Sequence, residues 1–304
     1  MPLRFDARTR LLVVAPHPDD ESIATGELIQ HVRAAGGAVD ILLLTAGDNN
    51  PWPQRWLERR LHIGAADRQR WGARRRGEVA RALGQLGLPA EALHPLDLPD
   101  MGITARLRDD LPGLMQAWQA QLEESRPNLV ALPSLGDSHP DHSAAHVLTR
   151  LALADWSAPG PLMLSYLVHG REPVGGEPVA LAAGDALHAN KLAALGEHQS
   201  QMALSGKRMF RLADRAEHFR MVASAASEGR LPWRPGAALR PWLRLTVADG
   251  EGARTWPWLR APLEHDGQGG WRLALQPTAG PRFAKLHMDV PSPWIFDRWG
   301  WCEL

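Results

Sequence analysis

Two short apolar runs, Leu11 to Ala15 and VDILLLT from Val39 to Thr45, carry almost no polar alternation, the pattern of parallel strands buried on both faces. Between them Ile23, Leu28, Ile29 and Val32 recur at helical spacing, and Gly36-Gly37 closes the segment, so the stretch reads as a βαβ unit. The alternation continues with a helix around Gly77 to Leu86, an apolar stretch from Leu93 to Leu98, a helix from Leu111 to Glu124 and the strand NLVALP from Asn128 to Pro133. The order predicts an α/β fold, a Rossmann-like doubly wound and mainly parallel sheet. In such sheets ligands bind beyond the carboxyl ends of the strands, so chemistry is sought in the loops that follow them.

The pattern changes after Gly229. RPWLRLTV and GGWRLALQP read as short strands between Gly, Pro and Asp turns, and eight of the 13 tryptophans lie between Trp233 and Trp301. Residues 1–229 are therefore expected to form the main domain and residues 230–304 a small β-rich appendage. Its tryptophans are read as the core of a small sheet in preference to a sugar-stacking surface, because Trp is heavily buried on average.

Composition narrows the function without naming it. Lys plus Arg equals Asp plus Glu at 34 each, so no global charge points to nucleic acid or an anionic membrane. The single cysteine, Cys302, excludes an internal disulfide and fits a reducing cytoplasm, the expected location. The apolar stretch after MPLRFDARTR is too short for a signal peptide, and no run approaches the ~18 apolar residues of a transmembrane helix.

What changes the picture is the segment VVAPHPDDESIATGEL, where His17, Asp19, Asp20 and Glu21 follow a buried strand at once. Packing such groups beside a strand is costly unless something neutralises them, and a divalent metal would do so. His17 and Asp20 offer an imidazole nitrogen and a carboxylate oxygen on one tight turn. SHPDHSAAH, from Ser138 to His146, follows the strand ending at Pro133, so His142 can meet them at the same sheet edge. Two nitrogens and one oxygen with an open fourth position suit a catalytic zinc.

APHPDDE followed much later by HPDH resembles the LmbE-like (PIG-L) superfamily of zinc-dependent deacetylases, over about Leu11 to Met202. TAGD (Thr45 to Asp48), the Arg75 to Glu78 helix start and KLAALGEHQSQ (Lys191 to Gln201) extend the resemblance. It implies Zn2+ held by His17, Asp20 and His142, with Asp19 as general base. It further implies His139 as the group facing the oxyanion or leaving amine, Asp141 as the orienter of a histidine, and Arg75, Arg76, Asp48 and His198 near the substrate. Some members carry tyrosine two residues before the equivalent of His139, where this chain has Asp137.

The expected activity is removal of an N-acetyl group from an amino sugar or glycoconjugate by metal-activated water. An amidase acting on a larger acyl group and a non-catalytic carbohydrate-binding module are the alternatives. Eight arginines between Pro51 and Arg76, with Trp52, Trp56 and Trp71, read either as a solvated face or as a loop for an anionic conjugate. His31, His62, His94 and His169 have no supporting spacing and are expected to be structural. Homo-oligomerisation stays open.

Overall fold

The computed structural model describes residues 3–304 apart from 155, 157–158, 171–175, 224–228 and 289–294. The main sheet has the strands β1 (Arg10–Ala15), β2 (Ala38–Thr45), β3 (Leu93–Leu98), β4 (Leu129–Pro133), β5 (Leu162–Tyr166), β6 (Pro178–Ala180) and β7 (His218–Met221). Their order is β3-β2-β1-β4-β5-β7-β6. The first five run parallel, and β7 and β6 add an antiparallel edge. The fold is thus the expected α/β type. Because the chain winds outward from β1 through β2 and β3 and then restarts at β4, the strand order reverses between β1 and β4. Ligand crevices form at such a reversal.

Eight helices cover the sheet among the described residues: α1 (Asp20–Ala34), α2 (Pro51–Glu58), α3 (Ala65–Gln85), α4 (Ile103–Asp109), α5 (Leu111–Ser125), α6 (Pro140–Ala154), α7 (Asp185–Gly196) and α8 (Gln199–Ala213). Residues of β1 alternate between two cores, as the period of two requires. Leu11, Val13 and Ala15 pack with α1, α3 and α7, whereas Leu12 and Val14 pack with α4, α5 and α6. Each of these side chains is at most 1% exposed. Burying one contributes roughly 1.5–3 kcal/mol for a Val or Leu.

Helix α3 starts twelve residues earlier than the expected Gly77, at Ala65. Trp71, Arg75, Glu78, Val79 and Ala82 form its buried stripe at helical spacing. Charged members at Arg75 and Glu78 hid that stripe from a hydrophobicity pattern.

The C-terminal residues form two small antiparallel sheets. Strands β8 (Arg230–Leu231), β11 (Leu263–His265) and β12 (Trp271–Leu273) make one, and β9 (Leu243–Asp249), β10 (Gly252–Pro257), β13 (Phe283–Met288) and β14 (Trp301–Glu303) the other. Trp233 and Trp258 are buried in their own core with Leu243 and Leu245, and Trp256, Trp271 and Trp299 pack against it. Trp242 is exposed, and Trp294 lies outside the described residues. This region is not isolated. Ala248, Phe283 and Trp301 join the core under α6, and Arg150 of α6 donates to both carboxylate oxygens of Glu303 at 2.7 and 3.1 Å.

Both side chains are buried, at 6% and 7% exposed, so removing Glu303 takes the bidentate acceptor from a buried guanidinium. Glu303→Ala should therefore destabilise the protein by about 3–5 kcal/mol, read as a drop in the urea midpoint. A change below about 0.5 kcal/mol would mean that the contact is solvated.

Candidate active site

Five loops, one after each parallel strand, meet at the reversal. The loop after β1 is Pro16-His17-Pro18-Asp19. Asp19 has φ 112°, a left-handed conformation that non-glycine residues rarely adopt and that marks stored strain. Asp20 opens α1, and its Oδ2 accepts the His17 backbone N–H at 2.9 Å. The positive end of the helix favours the charge there.

Three atoms converge from two of these loops. His17 Nδ1 lies 3.2 Å from His142 Nε2 and 3.4 Å from Asp20 Oδ2, and His142 Nε2 lies 3.2 Å from the same oxygen. Ligands at about 2.0–2.1 Å from a tetrahedral zinc stand roughly 3.3–3.4 Å apart. Each ring has its other nitrogen committed to acid. His142 Nδ1 meets Asp137 Oδ2 at 3.1 Å, while His17 Nε2 meets Asp141 Oδ2 at 3.3 Å and Asp100 Oδ1 at 3.4 Å. A neutral imidazole that donates outward turns its lone pair inward, so the donor set fits a cation.

The electrostatics say the same. Burial works against a charged His17, yet Asp100, Asp141 and Asp20 raise its pKa well above the ordinary value. His142 is likewise pushed up to about 10 by Asp20 and Asp137 against its burial. Asp20, despite its own burial, is drawn well below the carboxylate range by these two histidines. The carboxylates therefore favour positive charge at this point, which a divalent cation could supply.

Other triplets of ligand atoms within 4.8 Å are His17-His139-His142, Asp20-His142-His169 and His17-Asp100-Asp141. Their members are partly spoken for. His139 Nδ1 accepts the Asp141 N–H at 3.2 Å, and Asp141 accepts from the backbone of Met101 and Ile103 at 2.7 and 3.2 Å. Asp100 Oδ2 accepts from Asn49 N at 2.8 Å.

Asp19 lines the cleft beside this cluster. Burial pushes its carboxyl up to about 7 although Arg75 pulls the other way. His139 is kept neutral by burial and by the nearby His17 and His142, with Nδ1 occupied and Nε2–H left to donate.

The residues expected near substrate are placed differently from one another. Arg75 borders the cleft but is 3% exposed, donating to the carbonyls of Gly47 and Pro18 and to Asp19 Oδ2 at 3.3 Å. Its guanidinium occupies the space that a Cβ on Gly47 would need. With the Gln201 amide oxygen turned toward it, Arg75 Nη1 is also 2.9 Å from that residue. Arg76 pairs with Asp97, and His198 is buried with Nε2 2.9 Å from Glu21 Oε1. Neither these two nor Asp48 lines the cleft. In the basic segment Arg60 and Arg70 pair with Asp67, and Arg68 donates to Asn49.

Sequence reasoning missed Asp100, His169 and Phe296. The first two sit in the loops after β3 and β5, so a search of every loop at that sheet edge would have found them. The His169 ring lies tilted against His139 at 5.5 Å and edge-on to His142 at 5.0 Å, and its Nδ1 is buried without a partner. Phe296 comes from the far end of the chain and carries no local signal. Asp137 has a clear place as well. Its two oxygens accept from the backbone of His139, Val168 and His169 besides His142, tying the β4 loop to the β5 loop.

Burial opposes ionisation of Asp137, but His142 and His169 lower its pKa below the ordinary value. Its stabilisation is thus complete above the unfolded pKa of about 3.9 and lost as pH falls through the lower folded value. Asp137→Ala should cost at least about 3 kcal/mol at pH 7, because several buried donors lose their acceptor. The gap to wild type should narrow below about pH 4. Denaturant titrations at several pH values check both statements.

Known proteins share sequence and fold with this chain. Residues 12–153 match the family model PIG-L, described as GlcNAc-PI de-N-acetylase. A 1D-myo-inositol 2-acetamido-2-deoxy-alpha-D-glucopyranoside deacetylase of Mycolicibacterium gilvum (strain PYR-GCK) is 34% identical over 165 residues, 49% of this chain and 57% of the relative. The chain therefore spans little more than half the length of such curated relatives. Among solved structures, the conserved protein TT1542 of Thermus thermophilus aligns with a TM-score of 0.53 and 26% identity, over 75% of this chain and all of that one. The N,N'-diacetylchitobiose deacetylase of Pyrococcus horikoshii aligns with a TM-score of 0.51 and 18% identity, over 82% and 84% of the two chains, a likeness of fold.

Proposed function

We propose that this protein, whose residues 12–153 match the PIG-L family model, is a zinc-dependent N-deacetylase acting on an N-acetylated amino sugar or glycoconjugate. What supports the reading is the convergence of His17 Nδ1, Asp20 Oδ2 and His142 Nε2 within 3.4 Å of one another, beneath a cleft that His17 and Asp20 line. These three residues would hold the ion. Bound there, zinc supplies a water acidified toward neutral pH and a positive charge facing the acyl oxygen.

The chain's own groups do the rest. Asp19 takes the proton of the attacking water and returns it to the departing amine, for which a pKa near working pH is the efficient value. His139, neutral and donating through Nε2, holds the negative charge that develops on the acyl oxygen. Asp141, with Asp100, fixes His17 by its Nε2–H, and Asp137 fixes His142 by its Nδ1–H, so neither ring can turn.

Arg75 acts by holding Asp19 in its strained conformation. In this reading Arg76 and His198 brace the elements they join through Asp97 and Glu21, and Asp48 stands apart from the substrate. No helix among the described residues is long and apolar enough to cross a membrane. A cytoplasmic location belongs to the proposal on the strength of the lone thiol, Cys302, which burial pushes up to about 12 and so keeps unreactive.

Asp19→Asn should retain one equivalent of zinc while losing about 10²–10⁴ in turnover, since the base goes and the ligands stay. Metal analysis beside acetate release decides it, because parallel loss of metal and activity would make Asp19 a ligand. His142→Ala should instead lose the zinc, since two remaining protein ligands hold it poorly. Stoichiometric metal in that purified variant would refute the assignment.

A further inference from the structure

The cleft above the cluster measures about 570 Å³, the size class that buries a drug-sized ligand rather than an acetyl group alone. Its floor is polar, and its rim mixes exposed polar residues, Asn50 and Arg208 among them, with three large apolar ones. Trp52 from α2 and Ile295 and Phe296 from the C-terminal segment line it and remain 65%, 50% and 43% exposed. Large apolar side chains left open around a polar floor mark a ligand groove. Phe296 stands over the reacting end of that groove, its ring 5.5 Å from His169 and 6.3 Å from His139.

The position of Phe296 is built. The next residue, Asp297, donates its N–H to the Ser138 carbonyl at 2.8 Å, one residue before His139. Its carboxylate pairs with Lys285 on β13, a lysine only 3% exposed that also lies over Trp301. Strand β13 is in turn fixed to α6 through the shared core at Phe283. Burying a lysine is costly, and here its partner is the residue that anchors the rim. Residues 295–297 stand outside the 12–153 segment that matches the family, so this wall is a contribution of the C-terminal unit.

We infer that the C-terminal unit completes the substrate cleft and that Phe296, held by Asp297 and Lys285, selects amino-sugar conjugates bearing an apolar group next to the N-acetylated ring. The inference rests on the deacetylase reading for the sugar and on the rim for the apolar group. Phe296 is a specificity residue that packs on the conjugate, and Asp297 is a positioning residue that acts through it.

The test compares N-acetylglucosamine with its phenyl β-glycoside on the zinc-loaded protein, by calorimetric Kd and by acetate release. Wild type should bind the phenyl glycoside about three- to tenfold more tightly, the range of one aromatic contact. Phe296→Ala should erase that preference, weakening binding of the phenyl glycoside at least about threefold more than binding of the free sugar. Asp297→Asn should raise KM for the phenyl glycoside with kcat retained, a split that a general loss of folding would not give. Equal binding of both ligands by wild type, or equal weakening of both by Phe296→Ala, would overturn the inference even if acetate is released. The expected binding pattern without acetate release from either ligand would uphold the wall and refute the deacetylase reading.

Discussion

The site depends on one constraint, that the outward N–H of each converging imidazole is held by a buried carboxylate. Asp137 holds His142, and Asp141 with Asp100 holds His17. Without those acceptors either ring could flip or change tautomer, and the inward lone pairs would no longer face one point. The same carboxylates carry the architecture. Asp137 also binds the backbone after β5, and Asp141 the backbone after β3. Arg75 completes the set by joining the loops after β1 and β2. Three buried charged side chains thus knit together loops that the parallel sheet merely brings near one another.

This arrangement explains why acids are tolerated at such density. Every one of them is either hydrogen-bonded to backbone amides or paired with a cation, which is the condition under which buried charge is sustainable. Asp19 is the least compensated, with a raised pKa and a left-handed backbone, and it is the carboxylate that faces the cleft. Strain and imperfect solvation concentrated on one acid are what a proton-transfer role would require.

Much of this was legible in the sequence for a simple reason. The first and fourth strands are apolar on both faces, and each runs straight into a loop of ligand-type residues, so strand order alone brings His17, Asp20 and His142 to one edge. The α/β class followed from the same runs. What the sequence hid was held by long-range contacts. His169 and Asp100 sit one to a loop with no motif around them, and Phe296 reaches the cleft from a segment that Asp297 ties to Lys285 and to Ser138. Arg75 was visible as a residue of interest. Its burial against Gly47, Pro18 and Asp19 makes it a clamp on the loops, a role that no local pattern distinguishes from a substrate contact.

His17 Nδ1, Asp20 Oδ2 and His142 Nε2 would together hold a single cation. Anomalous diffraction at the zinc edge from a crystal of the zinc-loaded protein tests it most directly. One strong peak is expected within about 2.0–2.2 Å of all three atoms, with His139 and His169 outside ligand distance. A peak ligated instead by His139 or His169, or no ordered peak at the cluster, would contradict it.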